Sequence, residues 1–334
     1  MDHVLGVEMS SIEKVLILGS QWLRKVCVVT KTGRGWPEVG GEPDVTIWGG
    51  TLDGVLGLLC AGASAEDECV AGGLRFLRAA RSRDHGWPME ETGWPLIDTA
   101  ESVVDVTAWI TIVLKTACGT SWQEPILQEA ADLLVQTCSP YGGWGSFRGG
   151  IPNMYATALA MWALIGLNDD IVRIQLPFVL DAINPDGGWG FLPSDNKSRI
   201  ALTGLLLYVL LLTEMDLPGE VISNTMEWFR AHQTRDRTWE NELDAQILRG
   251  GRQIYYSRVR HFSISWVVRA MLKAAGRGYE MDLSPSIKKI LDLQQPEGYW
   301  AYSIHDHTPY VWCTQNAICT LAEARQAATE YAEA

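Results

Sequence analysis

The chain has 334 residues, of which 47% are hydrophobic and 20% charged; it is long enough to bury a large core, and this composition excludes disordered and collagen-like chains. Its 27 basic and 40 acidic side chains give a formal net charge of −13, the wrong sign for a protein that lives on phosphate backbones, so nucleic acid is a poor partner. The seven cysteines are odd in number and never spaced Cys-x-x-Cys, so neither a disulfide framework nor a zinc knuckle is signalled and a reducing cytoplasm fits best.

The first residues carry Asp2, Glu8 and Glu13, where a secretion signal needs an uninterrupted apolar core. Beyond them, six tryptophans each close a helical segment in a turn-rich stretch. These are Thr32-Gly33-Arg34-Gly35-Trp36, Arg83-Asp84-His85-Gly86-Trp87, Tyr141-Gly142-Gly143-Trp144, Pro185-Asp186-Gly187-Gly188-Trp189, Asp236-Arg237-Thr238-Trp239 and Pro296-Glu297-Gly298-Tyr299-Trp300. They recur about every 50 residues, the signature of a structural repeat with loops of variable length.

Within each repeat an amphipathic helix leads into the turn, and a more apolar helix follows a polar connector. In the third repeat Leu127, Ala131, Leu134 and Val135 lie at helical spacing ahead of the turn, and Tyr155 to Leu164 form the second helix. In the fourth, Ile171 to Ile183 precede the turn and about Ser198 to Thr213 follow it. The run from Ile200 to Leu212 within that second helix is apolar nearly all round. It is short of the roughly 20 residues a membrane span requires, so it reads as a helix buried on all sides. No transmembrane segment is predicted, and peripheral membrane contact stays open.

Capping chemistry marks the boundaries. Asp98-Thr99-Ala100-Glu101 has the pattern of a capping box. Ser284-Pro285 and Thr308-Pro309 place a cap residue before proline, and Gly166, Gly219 and Gly276 fall where helices stop or restart. Six helix pairs predict an all-α fold of about twelve helices, an (α/α)6 toroid with the apolar members inside, as a single domain over 1–334.

The stretches Ala182-Ile183-Asn184-Pro185-Asp186-Gly187-Gly188-Trp189-Gly190-Phe191 and Leu293-Gln294-Gln295-Pro296-Glu297-Gly298-Tyr299-Trp300 resemble the QW repeats of squalene and terpene cyclases and of protein prenyltransferase β subunits. The resemblance covers nearly the whole chain and is degraded in repeats one, two and five. It implies that the six turn tryptophans are architectural, with Gln bridging helix ends and Trp stacking over it. It also implies a central cavity, which Trp48, Trp109, Trp162, Tyr208, Trp266 and Trp312 would line, one from each inner helix; ordinary packing of the same rings is the alternative.

In the cyclases the proton donor lies in Asp-x-Asp-Asp-Thr-Ala at the start of an inner helix. Pro95-Leu96-Ile97-Asp98-Thr99-Ala100 is the nearest match and aligns Asp98 with the last aspartate, but Ile97 stands where the family carries its acid. Asp98 is also well explained as a helix cap, and that reading is the favoured one. Glu101 and Asp105, four apart on one helix face, form a second candidate pair able to share a proton if they face the cavity, with an outward, solvated pair as the alternative. The prenyltransferases hold zinc with Asp-x-Cys and His. Here Arg260-His261-Phe262 lacks the Asp-x-Cys, and His305-Asp306-His307 with Cys313 is too sparse to predict a metal or any other cofactor.

A basic cluster in the longest connector, Arg249, Arg252, Arg258, Arg260 and His261 interleaved with Tyr255 and Tyr256, offers an anion anchor, with a solvated loop paired to Glu240, Glu242 and Asp244 as the alternative. The sequence therefore leaves several readings open. One is a terpene-cyclase-like enzyme, an isomerase or lyase in class, with an isoprenoid or similar apolar substrate and a partner protein that closes its cavity. The others are a non-catalytic toroid that binds a partner protein, and prenyl transfer.

Overall fold

The computed structural model describes residues 6–88, 102–119, 124–250 and 253–333, with the backbone alone over 244–250, 253–259 and 331–333. The described residues form twelve helices: α1 (Met9–Val26), α2 (Leu52–Cys60), α3 (Glu68–Ala79), α4 (Val104–Cys118), α5 (Pro125–Thr137), α6 (Met154–Leu164), α7 (Asp169–Asp181), α8 (Ile200–Leu212), α9 (Gly219–Ala231), α10 (Ser263–Ala275), α11 (Ser284–Asp292) and α12 (Val311–Glu333). Short strands β1 (Val28–Val29), β2 (Arg34–Pro37) and β3 (Val45–Thr46) pair antiparallel, with β2 against α3. The predicted helix bounds in repeats three and four agree to within two residues.

The chain divides into two compact units. The first holds residues 1–80, 234–241 and 280–334, with α12 packed on α1 and α2, and α3 beside α2. The second holds 81–233 and 242–279, where α4, α6, α8 and α10 follow one another side by side with α5 against α4 and α6. The apolar members of the pairs are buried as their composition demands: every residue from Ala201 to Leu211 of α8 is buried, whereas α7 buries only Val172, Gln175 and Val179. Gly204 lets α8 approach α10 closely, since a Cβ there would stand 2.8 Å from the Trp266 carbonyl carbon.

The six turn tryptophans are all fully buried, and their hydrogen bonds explain why the repeat needs them. Indole N–H groups of Trp36, Trp144, Trp189 and Trp300 donate to the carbonyls of Leu23, Leu134, Val179 and Ile290 at 2.6–2.8 Å. Each of these carbonyls lies in the last turn of the preceding helix, where no intrahelical partner exists. The backbone N–H of the same residues, and of Trp87, donates to a threonine hydroxyl at the start of the following helix: Thr51, Thr107, Thr157, Thr203 and Thr314, at 3.0–3.1 Å. In repeats two to four the Trp87, Trp144 and Trp189 carbonyls also accept the N–H of the residue just before that helix or its first turn, Val103, Asn153 and Arg199, at 2.8–2.9 Å. One residue thereby ties the end of one helix to the start of the next. The glutamine bridging implied by the resemblance falls on Gln294, whose amide donates to the Val15 and Gly298 carbonyls.

The residue two before the tryptophan takes a left-handed backbone in five repeats: His85 (φ 72), Gly142 (φ 100), Gly187 (φ 92), Arg237 (φ 60) and Gly298 (φ 105). Its N–H bonds the carbonyl three residues back, closing the turn. The second and fifth repeats are thus degraded in sequence but not in geometry, and their non-glycine residues bear a steric cost of about 1 kcal/mol. His85→Gly is expected to stabilise the chain by about that amount, read as a shift of the urea midpoint at constant slope; an unchanged midpoint would show that the turn relaxes around the imidazole.

The longest connector is not a loop. Residues 242–261 form an antiparallel hairpin, β4 (Glu242–Gly250) and β5 (Gln253–His261), with Leu243 opposite Arg260, Ala245 opposite Arg258 and Gly250 opposite Gln253. The two nine-residue runs are separated in the sequence by Gly251-Arg252, and a two-residue link that begins with glycine is a hairpin signal.

Candidate active site

Asp105 lies in the first turn of α4 and is 5% exposed. Burial pushes its carboxyl up to about 7, against the opposing pull of a hydrogen bond from Ser146. Its Oδ1 has no hydrogen-bond partner among the described residues. Nearby, the Ser146 carbonyl accepts the Val104 N–H at 2.9 Å, which pins the loop after Trp144 to the start of α4. Glu101, its predicted companion, lies outside the described residues, and so does Asp98.

One turn along α4, Trp109 meets Trp162 of α6 at 5.4 Å and Trp266 of α10 at 6.1 Å between ring centroids. Tyr208 of α8 joins them, 5.3 Å from Trp162 and 6.4 Å from Trp266, mostly edge to face. Four of the six predicted aromatic residues therefore converge in the second unit. Their rings pack on each other around a cation that sequence reading missed: Arg269 of α10 is 3% exposed. Its guanidinium stands 4.4 Å from the Tyr208 ring, 4.9 Å from Trp266 and 5.3 Å from Trp162, and it donates to the Tyr208 hydroxyl at 2.9 Å. These faces already hold a positive charge. Arg269 follows Trp266 by three residues, which is the helical spacing that would have revealed it.

Tyr155 of α6 accepts the Trp109 indole N–H at 3.2 Å, and its ring lies edge-on to His261, 6.0 Å away. His261 is 9% exposed, whereas its neighbour Arg260 is exposed to solvent. Successive strand residues point to opposite faces, so this pair does not converge as an anion anchor. Arg252 and the side chains of Arg249 and Arg258 lie outside the described residues.

In the first unit Trp312 packs against Tyr302 and Tyr310 at 5.7 and 5.3 Å, and Trp48 is half-buried just before α2. This unit holds a second buried acid, unforeseen from the sequence. Asp53, in the first turn of α2, is 7% exposed and pushed up to about 8 by burial and then by the negative charge of Glu38, while the backbone N–H groups of Gly49 and Asp53 oppose the rise. Among the described residues no three His, Cys, Asp or Glu side chains are grouped to hold a metal ion, and no helix is long and apolar enough to cross a membrane.

The backbone is similar to the apo form of the type II terpene cyclase MstE from Scytonema, with 14% identity over 96% of this chain and 99% of that one and a TM-score of 0.66. A variant of MstE in complex with geranylgeranyl dihydroxybenzoate, named as substrate, matches at a TM-score of 0.67, 13% identity, and 96% and 98% coverage. An α-1,6-mannanase from Salegentibacter matches at 0.65, with 11% identity over 94% of this chain and 99% of that one. The fold is an α/α toroid. That one architecture serves isoprenoid cyclisation in one neighbour and is shared by a mannanase, so at this identity the likeness carries the fold and leaves the chemistry to the residues. No family model and no curated protein matches the sequence.

Proposed function

We propose that this protein is terpene-cyclase-like, taking an isoprenoid or similar apolar substrate and starting its cyclisation or isomerisation by protonating a carbon–carbon double bond from Asp105. The observation that carries this is a buried carboxyl, half protonated near neutral pH, one helical turn from an indole. An acid kept neutral by its surroundings is the form that can give up a proton. The family motif supports the same residue once its register is moved. Thr107 Oγ1 accepts the Trp87 N–H as the corresponding threonines do in other repeats, and aligning Thr-Ala of the motif on Thr107-Ala108 sets Asp105 at the position that carries the acid. Val103 and Val106 then stand where the family has its other aspartates.

In the step itself the π pair of the alkene takes the Asp105 proton to form a C–H bond. The neighbouring carbon becomes a cation, and a carboxylate remains. A proton lost from a carbon beside the final cation makes the new double bond, and its return to the Asp105 carboxylate, directly or by way of water, regenerates the acid. Trp109, on the same helix face as Asp105, offers a ring face worth about 0.5 to 2 kcal/mol to such a cation.

A second reading, the non-catalytic toroid that binds a partner protein, is favoured by the way Trp109, Trp162, Tyr208 and Trp266 fill the space between their helices around Arg269. Incubation with geranylgeranyl diphosphate, farnesyl diphosphate and squalene separates the two. Conversion of one of them by the wild type, reduced about 10²- to 10⁴-fold in Asp105→Asn, is the expected result. Folded wild-type protein that converts none of the three would move the assignment to the scaffold.

A further inference from the structure

Thr107 and Thr157 take the same part in successive repeats, each accepting the backbone N–H of a turn tryptophan, and they set the register between α4 and α6, which pack on each other. Asp105 stands two residues before the first and Tyr155 two before the second, so the half-buried phenol occupies in α6 the place that the acid occupies in α4. Trp109 branches one turn further along α4, but a helical side chain leans back toward the N-terminus of its helix. Its indole N–H meets the Tyr155 hydroxyl at 3.2 Å. An indole nitrogen only donates, so the phenol oxygen is the acceptor.

We infer that Tyr155 is a positioning residue that pins Trp109 by its N–H edge and so fixes which way the indole face is turned toward the cation that protonation creates; the inference rests on the reading of Asp105 as the proton donor. Orientation matters because an indole is negative over its face and positive at its edge, so the same ring attracts a cation from one direction and repels it from another. Rotation about χ2 exchanges the two edges of the ring between broad wells. The N–H lies in the ring plane, so a bond to an acceptor on the neighbouring helix selects one well. Trp162 and Trp266 pack on the same ring, with centroids at 5.4 and 6.1 Å and planes inclined by 66° and 44°, but apolar contact does not tell the N–H edge from the opposite one. The hydroxyl does. The Tyr155 ring in turn meets His261, which ends β5, edge-on at 6.0 Å.

The test follows the indole first and the reaction second. In the intact, substrate-free chain with isotope-labelled tryptophan, the Trp109 Nε1–H signal is read by NMR and assigned by its loss in Trp109→Phe. Tyr155→Phe keeps the aromatic ring and removes the acceptor, and is expected to shift that signal upfield by more than any other indole signal. With a converted isoprenoid, the same variant is expected to lower kcat about 2- to 30-fold, the range that one ring face is worth. KM is expected to stay unchanged, because the cation exists only after proton transfer. In a Trp109→Phe background the hydroxyl has no N–H to hold, so adding Tyr155→Phe is expected to lower kcat no further. An indole signal that stays in place in folded Tyr155→Phe overturns the inference, as does an unchanged kcat or a loss of kcat as large without Trp109 as with it. A signal that moves in a chain converting none of the three substrates upholds the pinning of the ring while the cyclase reading falls.

Discussion

Asp105→Asn and Asp53→Asn are each expected to stabilise the folded chain at pH 8 and to leave its stability nearly unchanged at pH 4. Both carboxyls are buried, and their ionisation is pushed up to about 7 and about 8; in the unfolded chain an aspartate ionises near 3.9. Below that value both states hold the proton and the group contributes no difference. As the pH rises past it the unfolded chain releases a proton that the folded chain retains, so stability falls with rising pH. The fall ends at the folded value, above which the full cost remains. At about 1.4 kcal/mol per pH unit, Asp105 costs about 4 kcal/mol above pH 7. Asp53 costs at least as much. The isosteric amide carries no charge to desolvate, so the gain in each variant grows across this window. Urea unfolding at pH 4, 6 and 8 measures it, and a gain of the same size at all three pH values would refute the ionisation argument.

Trp189→Ala is expected to cost about 3 to 5 kcal/mol, the usual price of emptying a fully buried indole site. The residue fills the junction between α7 and α8, where its indole N–H meets the Val179 carbonyl at 2.8 Å and its backbone N–H meets Thr203 Oγ1 at 3.0 Å. Alanine keeps the backbone bond but opens a cavity and leaves the Val179 carbonyl, in the last turn of α7, without its donor. Trp189→Phe keeps most of the apolar contact and loses that single bond, so its cost is expected to be about 1 to 2 kcal/mol. Equilibrium denaturation of the two variants checks the order. Equal costs would show that the hydrogen bond, not the ring volume, holds the junction.

How much of this was legible beforehand depends on the range over which each feature acts. The tryptophan turns and the alternation of amphipathic and apolar segments are local patterns, and they predicted twelve helices and the toroid. The left-handed residue two before each tryptophan is readable where it is glycine and hidden at His85 and Arg237, whose side chains conceal the same backbone. The hairpin at 242–261 is masked in the sequence by its arginines and tyrosines, which point to charge rather than to the glycine-led dipeptide Gly251-Arg252 between matched runs. For the acid, the sequence pointed first to Asp98, because Thr99-Ala100 imitates the end of the family motif. The connector from Trp87 to Thr107 spans 20 residues against 13 to 15 in the other repeats with this bond. That extra length hid which threonine the turn selects.

Sequence alone therefore determined the helix pairs, the repeat and the buried tryptophans, since periodicity and turn chemistry are properties of neighbouring residues. Only the tertiary structure decided that Asp105 and Asp53 are buried acids and that Arg269 sits among the rings. Burial, ionisation and ring stacking depend on side chains dozens of residues apart along the chain, which meet only when the helices pack.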